Sequence, residues 1–369
     1  MIDFTHRRKG LPRLGARLRD GDEVRILGFG GGITYEGYYL AAMARMLRTA
    51  YQSAIIETAT RPLPFCTSER AVFRAREVAQ MKPDLTIVEF VSEDMECDPE
   101  RVLRAAEGMV RQIRFTNPDR EIAFMYFGSY SHLGVKYADD VLAAWERVAD
   151  HYGIPSFDGL ALGNWFVEKS VGTWFDRWPG RKSWDDRNPV GLTYDGIHHT
   201  AGGGSLFGSQ LAQGVIAICN PETLRTQGEM PAPLVRGDWG DAIFVPASRL
   251  SGNGWVGGPL ADVLYTSAVA KWLDELSAAE REGARVRIPF EGRYAALWTF
   301  GTGGSIAATL DGHRRDLPSA TDNMHHGHEL LNEETSRQHV LEIEAVALPA
   351  VIAGLDLLGQ VLPEVSSNG

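Results

Sequence analysis

Over roughly the first 220 residues, short apolar runs alternate with helical patterns, and this alternation constrains the fold more than any other feature of the chain. Val24–Gly30 reads as a buried strand running into a glycine turn, Ala54–Ile56 as a second strand and Leu85–Val91 as a third. Ile122–Phe127 makes a fourth, and the run at Ile154 a fifth. Between them Leu40, Met43, Met46 and Leu47 recur at helical spacing. The same spacing links Val102, Leu103, Ala106, Met109, Val110 and Ile113, and again Val141, Leu142, Trp145, Val148 and Ala149. Strands that alternate with amphipathic helices predict a three-layer α/β sandwich with a parallel, flavodoxin-like sheet covered on both faces. Ligands of such sheets sit at the carboxyl ends of the strands, so the residues just after each strand are the place to look for chemistry.

The pattern changes near Asn220. Pro221, Pro231 and Pro233 predict a linker over 221–240 between a domain at 1–220 and another at 221–369. One helix-like stretch, Val263–Ala278, precedes strand patterns at Val286–Phe290, Tyr294–Phe300, Ser305–Leu310, His339–Glu344 and Val351–Leu355. Short strands between Gly, Asp-Gly and Asn turns predict a C-terminal antiparallel β-sandwich.

Charge and composition exclude several functions. Of 369 residues, 44% are hydrophobic and 23% charged, the balance of a folded globular chain. A formal net charge of −11 leaves no positive excess to hold nucleic acid. No apolar run reaches the ~18 residues that cross a bilayer, so no membrane partner is expected. The basic N-terminus lacks the apolar stretch of a secretory signal, which predicts a cytoplasmic protein or a trimmed mature form. Cys66, Cys97 and Cys219 are sparse and far apart, a poor basis for disulfides or a zinc site. His325, His326 and His328 lie near Asp322, but no anchoring ligand pattern surrounds them. A solvated loop is the expectation there, and neither a metal nor a cofactor is expected.

The glycine loop Gly28–Thr34 lies where a phosphate-cradling loop would lie. Ile33 stands where the dinucleotide spacing needs a third glycine, and no Gly-Lys-Ser/Thr follows. Taken with Pro83–Asp94 and with Asp195-Gly-Ile-His198-His-Thr-Ala-Gly-Gly, this loop instead resembles the SGNH (GDSL-like) hydrolases over about residues 22–215. The later strands look, more loosely, like the sandwich module of carbohydrate-active members. The resemblance implies a serine in the first block as acyl nucleophile, with His198 as base and Asp195 orienting it. It implies an oxyanion hole from the serine N–H, a glycine of the second block and an asparagine of the third.

The chain departs at each of those three positions. Gly32 replaces the serine and Glu93 the asparagine, and the second block, Glu57–Pro64, has no clear glycine. Three departures mark a reworked site rather than a single substitution. With no hydroxyl at position 32, activity on acetyl esters is expected to be negligible. Gly31 and Gly32 would then floor a pocket bordered by Tyr35, Glu36, Arg61 and Asp94, with Arg61 placed to bind a substrate carboxylate. Glu93 with Asp195 and His198 suggests acid–base hydrolysis of a glycan, and Arg61 points to one with acidic sugars. Against this, Glu93 could pair with Arg61 or another cation and stabilise an inert site. His199 is an alternative base, and Trp165, Trp174, Trp178 and Trp184 are core or sugar-stacking candidates. Three functions follow. The chain is a serine-free carbohydrate hydrolase, a carbohydrate O-acetylesterase whose serine is replaced by Gly32, or a non-catalytic glycan-binding protein.

Overall fold

A computed structural model describes residues 4–115, 117–128, 138–175, 191–219, 230–250, 253–259, 275–318 and 325–363. The chain divides into two compact units at residues 240/241.

The first unit begins with β1 (Thr5–His6), α1 (Pro12–Asp20), β2 (Glu23–Gly30), α2 (Gly32–Glu36), α3 (Tyr38–Ala50) and β3 (Ile55–Pro62). It continues through α4 (Ser68–Ala71), α5 (Ala75–Gln80), β4 (Leu85–Glu89), α6 (Val91–Asp94), α7 (Pro99–Arg114) and β5 (Glu121–Tyr126). Then come α8 (Ala138–Tyr152), β6 (Ser156–Asp158), α9 (Gly159–Glu168), β7 (Thr173–Phe175), β8 (Gly191–Thr193) and α10 (Ala201–Ile218). Six strands form one sheet in the order β1-β6-β5-β4-β2-β3. All neighbours are parallel except β1 on β6. The sequence reading missed β1, whose two residues are too short to show a period.

Period-two alternation sorts the strand side chains onto the two faces. Val24, Ile26, Leu85, Ile87, Ala123 and Met125 join Leu14, Tyr39, Met43, Leu47, Leu211 and Val215 in one core under α1, α3 and α10. On the other face Phe124 meets Trp145 of α8 edge-on, with ring centroids 4.9 Å apart, and Phe29 meets Phe90 at 5.1 Å. The central strands β4 and β5 are buried throughout, whereas β3 at the edge is largely exposed. Helix α7 starts on Asp98, whose side chain caps the Glu100 N–H, with Pro99 in the first turn.

The expected linker at 221–240 is corrected over its described part. Residues 230–240 lie along α7 instead of crossing free. Glu107 accepts the N–H groups of Leu234 and Val235, Arg111 donates to the Pro231 carbonyl at 3.0 Å, and Gln112 donates to that of Trp239 at 3.0 Å. Prolines punctuated the sequence there, but a buried carboxylate satisfies the backbone and fixes the path.

The second unit comprises β9 (Ala242–Pro246), β10 (Trp255–Pro259), β11 (Glu275–Ala279), β12 (Arg285–Phe300), β13 (Ser305–Leu310), β14 (His313–Asp316), β15 (His325–Ala347) and β16 (Val351–Val361). The pairing is antiparallel throughout and continuous, in the order β10-β11-β16-β12-β15-β13-β14, with β9 also on β16. Register shifts at Gly292/Tyr294 and Ala295/Ala296 interrupt the long β12–β15 pairing, as bulges do where strands bend. One apolar core collects Val245, Trp255, Ile288, Leu297, Ile306, Leu341, Ile343, Leu355 and Leu357. Two expected runs, Val286–Phe290 and Tyr294–Phe300, are a single strand. The helix-like stretch at 263–278 is corrected at its end, where Glu275–Ala279 is strand; residues 263–274 lie outside the described residues.

The histidines expected in a solvated loop lie on β15. His328 is buried and its Nε2 meets the Thr299 hydroxyl at 2.9 Å, so a cross-strand hydrogen bond accounts for it. Asp322 and the side chain of His325 lie outside the described residues. All three cysteines are free thiols.

Candidate functional site

Three loops at the carboxyl ends of β2, β4 and β8 meet around Gly32. The Asp-x-x-His block follows β8, and its turn is built by Asp195 itself. Asp195 Oδ1 accepts the N–H groups of Ile197 and His198 at 2.9 and 2.8 Å, which curls the segment back. Its Oδ2 then meets His198 Nδ1 at 2.6 Å. With Nδ1–H committed to the carboxylate, the acceptor lone pair of a neutral ring lies on Nε2. Tyr194 stacks on the imidazole, with centroids 5.6 Å apart and planes at 13°, and donates its hydroxyl to Glu36. Burial pushes the His198 pKa down, but the Asp195 carboxylate, then Glu36 and Glu93, carry it above the ordinary 6.5. Burial likewise opposes ionisation of Asp195, yet its bonds to His198 hold it below the usual carboxylate value.

His198 Nε2 faces Gly32. A Cβ placed on Gly32 would lie 2.4 Å from it, closer than packed atoms allow. The imidazole therefore reaches the point where a side chain at position 32 would begin, and its own side chain remains 26% exposed to the cleft.

The opposite side of the loop is carboxylate. Glu93 Oε1 accepts the Gly32 N–H at 2.8 Å, and Oε2 contacts the Ser92 hydroxyl. A Cβ on Gly31 would fall 1.7 Å from Glu93 Oε1, so glycine at 31 is what lets the carboxylate approach the backbone. Ser92 also meets Glu89 Oε1 at 3.0 Å. Glu89 Oε2 takes the Thr34 hydroxyl at 3.0 Å, and Thr34 meets Tyr39 at 3.1 Å. The Ser92 hydroxyl has one hydrogen and two carboxyl neighbours, so the pair Glu89–Glu93 must hold a proton for both contacts to be hydrogen bonds. Burial raises both pKa values, and the charge of Glu93 raises that of Glu89 further. For Glu93 the bonds from Ser92 and Gly32 and the charge of His198 pull back without cancelling the rise.

Of the residues singled out from sequence, Gly31, Gly32, Glu93, Asp195 and His198 share this cleft, and Glu36 borders it through Tyr194. Tyr35 is partly exposed on α2, beside the loop. Two assignments are corrected. Asp94 is fully buried, accepting the Ser68 N–H at 2.7 Å and the Trp145 indole N–H at 3.0 Å, so it holds α4 and α8 together. Arg61 donates from two nitrogens to the single oxygen Glu77 Oε2, at 3.0 and 2.6 Å, with its side chain 15% exposed. Glu93 thus pairs not with Arg61 but with the backbone of Gly32. His199 is buried between Phe127 and Phe207, at 4.5 Å from each, and burial pushes its pKa down to about 3, which leaves His198 as the better candidate for a base. Trp174 is buried and Trp165 packs on Phe4, while Trp178 and Trp184 lie outside the described residues. Sequence reading missed Glu89, Ser92 and Tyr194. The signals were there: Glu89, Ser92 and Glu93 fall at i, i+3 and i+4, and Tyr194 adjoins Asp195.

No family model and no curated protein sequence matches the chain. Solved structures do. A two-domain esterase active on acetylated mannans, co-crystallised with mannopentaose, superposes with a TM-score of 0.70 at 17% identity, covering 95% of each chain. A second structure of a two-domain esterase so described gives 0.70 at 17% identity over 93% of each chain. A peptidoglycan O-acetylesterase covers 57% of this chain and 97% of its own, at 11% identity and a TM-score of 0.45. The chain has the fold of that two-domain esterase, an α/β domain followed by an antiparallel β unit, with Gly32 standing where the resemblance to the SGNH hydrolases implies the nucleophile.

Proposed function

We propose that the chain is a carbohydrate-active hydrolase that cleaves an O-acyl ester by direct attack of water. The observation that carries this reading is the Asp195–His198 pair, intact at 2.6 Å and directed at Gly32. A neutral His198 accepts a proton from water as that water attacks the acyl carbon, so no hydroxyl at position 32 is needed. The tetrahedral intermediate then collapses, and His198 returns the proton to the departing sugar oxygen, leaving a carboxylic acid and a free sugar hydroxyl. A protonated Glu93 turned from Ser92 towards the acyl group would supply the hydrogen bond to the developing oxyanion that the resemblance assigns to an amide. This reading readmits the acetyl esters that the missing serine set aside, because the nucleophile is now water. An ester fits better than a glycosidic bond. Both oxygens of Asp195 are committed to the His198 turn, so it is not free to act as the second of two carboxyls flanking a sugar. The shared fold of the esterase active on acetylated mannans supports an acetylated glycan as the substrate class.

Glycan binding without catalysis is favoured by one feature: the Gly32 N–H is taken by Glu93, which closes that donor to an acyl oxygen in this conformation. Acetate release from acetylated manno-oligosaccharides decides between the two. Release that resists a serine-directed organophosphate and falls about 10²-fold or more in His198→Ala supports the hydrolase. Saturable binding with no release supports the binding protein, and organophosphate-sensitive release would sink the water mechanism.

A further inference from the structure

The turn after β3 places an aromatic ring where folding alone would not. In Leu63-Pro64-Phe65-Cys66 the Leu63 carbonyl accepts the Cys66 N–H at 3.1 Å, and Phe65 has φ +62°. A proline followed by a left-handed residue is the type II pattern, whose third position is made for glycine or asparagine. A bulky aromatic there is strained. Leu63, Pro64 and Cys66 are all buried, whereas Phe65, the largest of the four, is 67% exposed. Glycine at 65 would relieve the backbone and remove apolar surface from water, so stability does not explain the residue.

The location does. Leu63 N–H donates to the Gly30 carbonyl at 2.8 Å, and Pro62 pairs with Gly30 in the sheet. The turn therefore borders the Gly30–Gly32 loop, which Glu93 caps and His198 faces. Its flanking residues Arg61 and Thr67 are partly exposed and polar. One ring in a polar setting is too small a surface for a protein or a bilayer, but it matches the apolar C–H face of a single pyranose, whose hydroxyls need polar neighbours.

We propose that Phe65 is the stacking platform of a glycan subsite beside the reacting loop, taking a pyranose ring of the acylated chain. The proposal rests on the ester-hydrolase reading only for the identity of the reaction, so binding and turnover test the two separately. Phe65→Gly and Phe65→Trp are compared with wild type by calorimetric binding of acetylated manno-oligosaccharides and by turnover of an aryl acetate that carries no sugar. Expected is about tenfold weaker oligosaccharide binding in Phe65→Gly, retention in Phe65→Trp, unchanged aryl acetate turnover and a higher melting temperature for the glycine variant. Equal losses on both ligands, unchanged oligosaccharide binding, or a wild type that binds no oligosaccharide would overturn the subsite. A wild type that binds oligosaccharide through Phe65 yet cleaves no ester keeps the subsite and removes the hydrolase reading.

Discussion

At one side of the cleft, after β8, Asp195 and His198 hold the arrangement that the SGNH resemblance implies, down to the two backbone N–H groups that shape the turn. At the other side, after β2 and β4, the hydroxyl is absent and the Gly32 N–H is capped by a carboxylate drawn from a buried Glu89–Ser92–Glu93 chain. In the proposed hydrolysis the first side would move protons and the second would handle the electrophile. An Asp–His pair without a hydroxyl beside it offers the parts for activating water but not for forming an acyl-enzyme.

The largest expected effect comes from the retained side. Asp195→Asn removes the acceptor that fixes the His198 tautomer, and ester turnover should fall by about 10⁴ with little change in melting temperature. Turnover within tenfold of wild type would detach the pair from the chemistry.

The rebuilt side is tested by trying to restore it. Gly32→Ser alone should not create an organophosphate-sensitive esterase, because Glu93 still occupies the N–H that would hold the oxyanion. Gly32→Ser combined with Glu93→Asn frees that N–H and supplies an amide donor. Labelling and turnover of the double variant should exceed those of the single variant by about 10²-fold or more. Rapid labelling of the single variant would show that Glu93 blocks nothing.

Charge sharpens the contrast further. His198 must be neutral and its pKa is raised, so kcat/KM should climb with pH through a limb above the ordinary imidazole value. Glu93 must be protonated and its pKa is also raised, so the rate should fall as pH rises through that group. Glu93→Gln keeps a donor that cannot ionise; the profile should lose the Glu93 limb and keep the His198 limb, with its best rate within about tenfold of wild type. A loss of about 10²–10⁴ across the whole profile would instead make Glu93 a proton donor in transfer.

The smallest effect lies at Arg61. Its two hydrogen bonds to Glu77 are structural, so Arg61→Ala should cost about 1 kcal/mol of stability and leave KM for the acylated oligosaccharide unchanged. A rise in KM with unaltered stability would return Arg61 to the pocket.

Local pattern made much of this legible. Central strands buried on both faces read as apolar runs, and α7 announced itself through its apolar stripe. The Asp195–His198 pair was legible because three residues of spacing and a self-capping aspartate bring the two groups together within one turn. Residue type also recorded the loss of the hydroxyl at 32, since glycine has none.

What only the tertiary structure decided were the long-range pairings. Nothing local separates Glu93, which caps a glycine 61 positions earlier, from Asp94, which turns into the core towards Ser68 and Trp145. Arg61 looked available until Glu77, sixteen residues on, came within reach. Phe65 is singled out only by its backbone conformation and its exposure, which belong to the fold. A carboxylate or guanidinium takes its role from whichever partner the fold delivers within about 3 Å, and contacts between distant strand ends depend on how the sheet is ordered rather than on neighbouring residues.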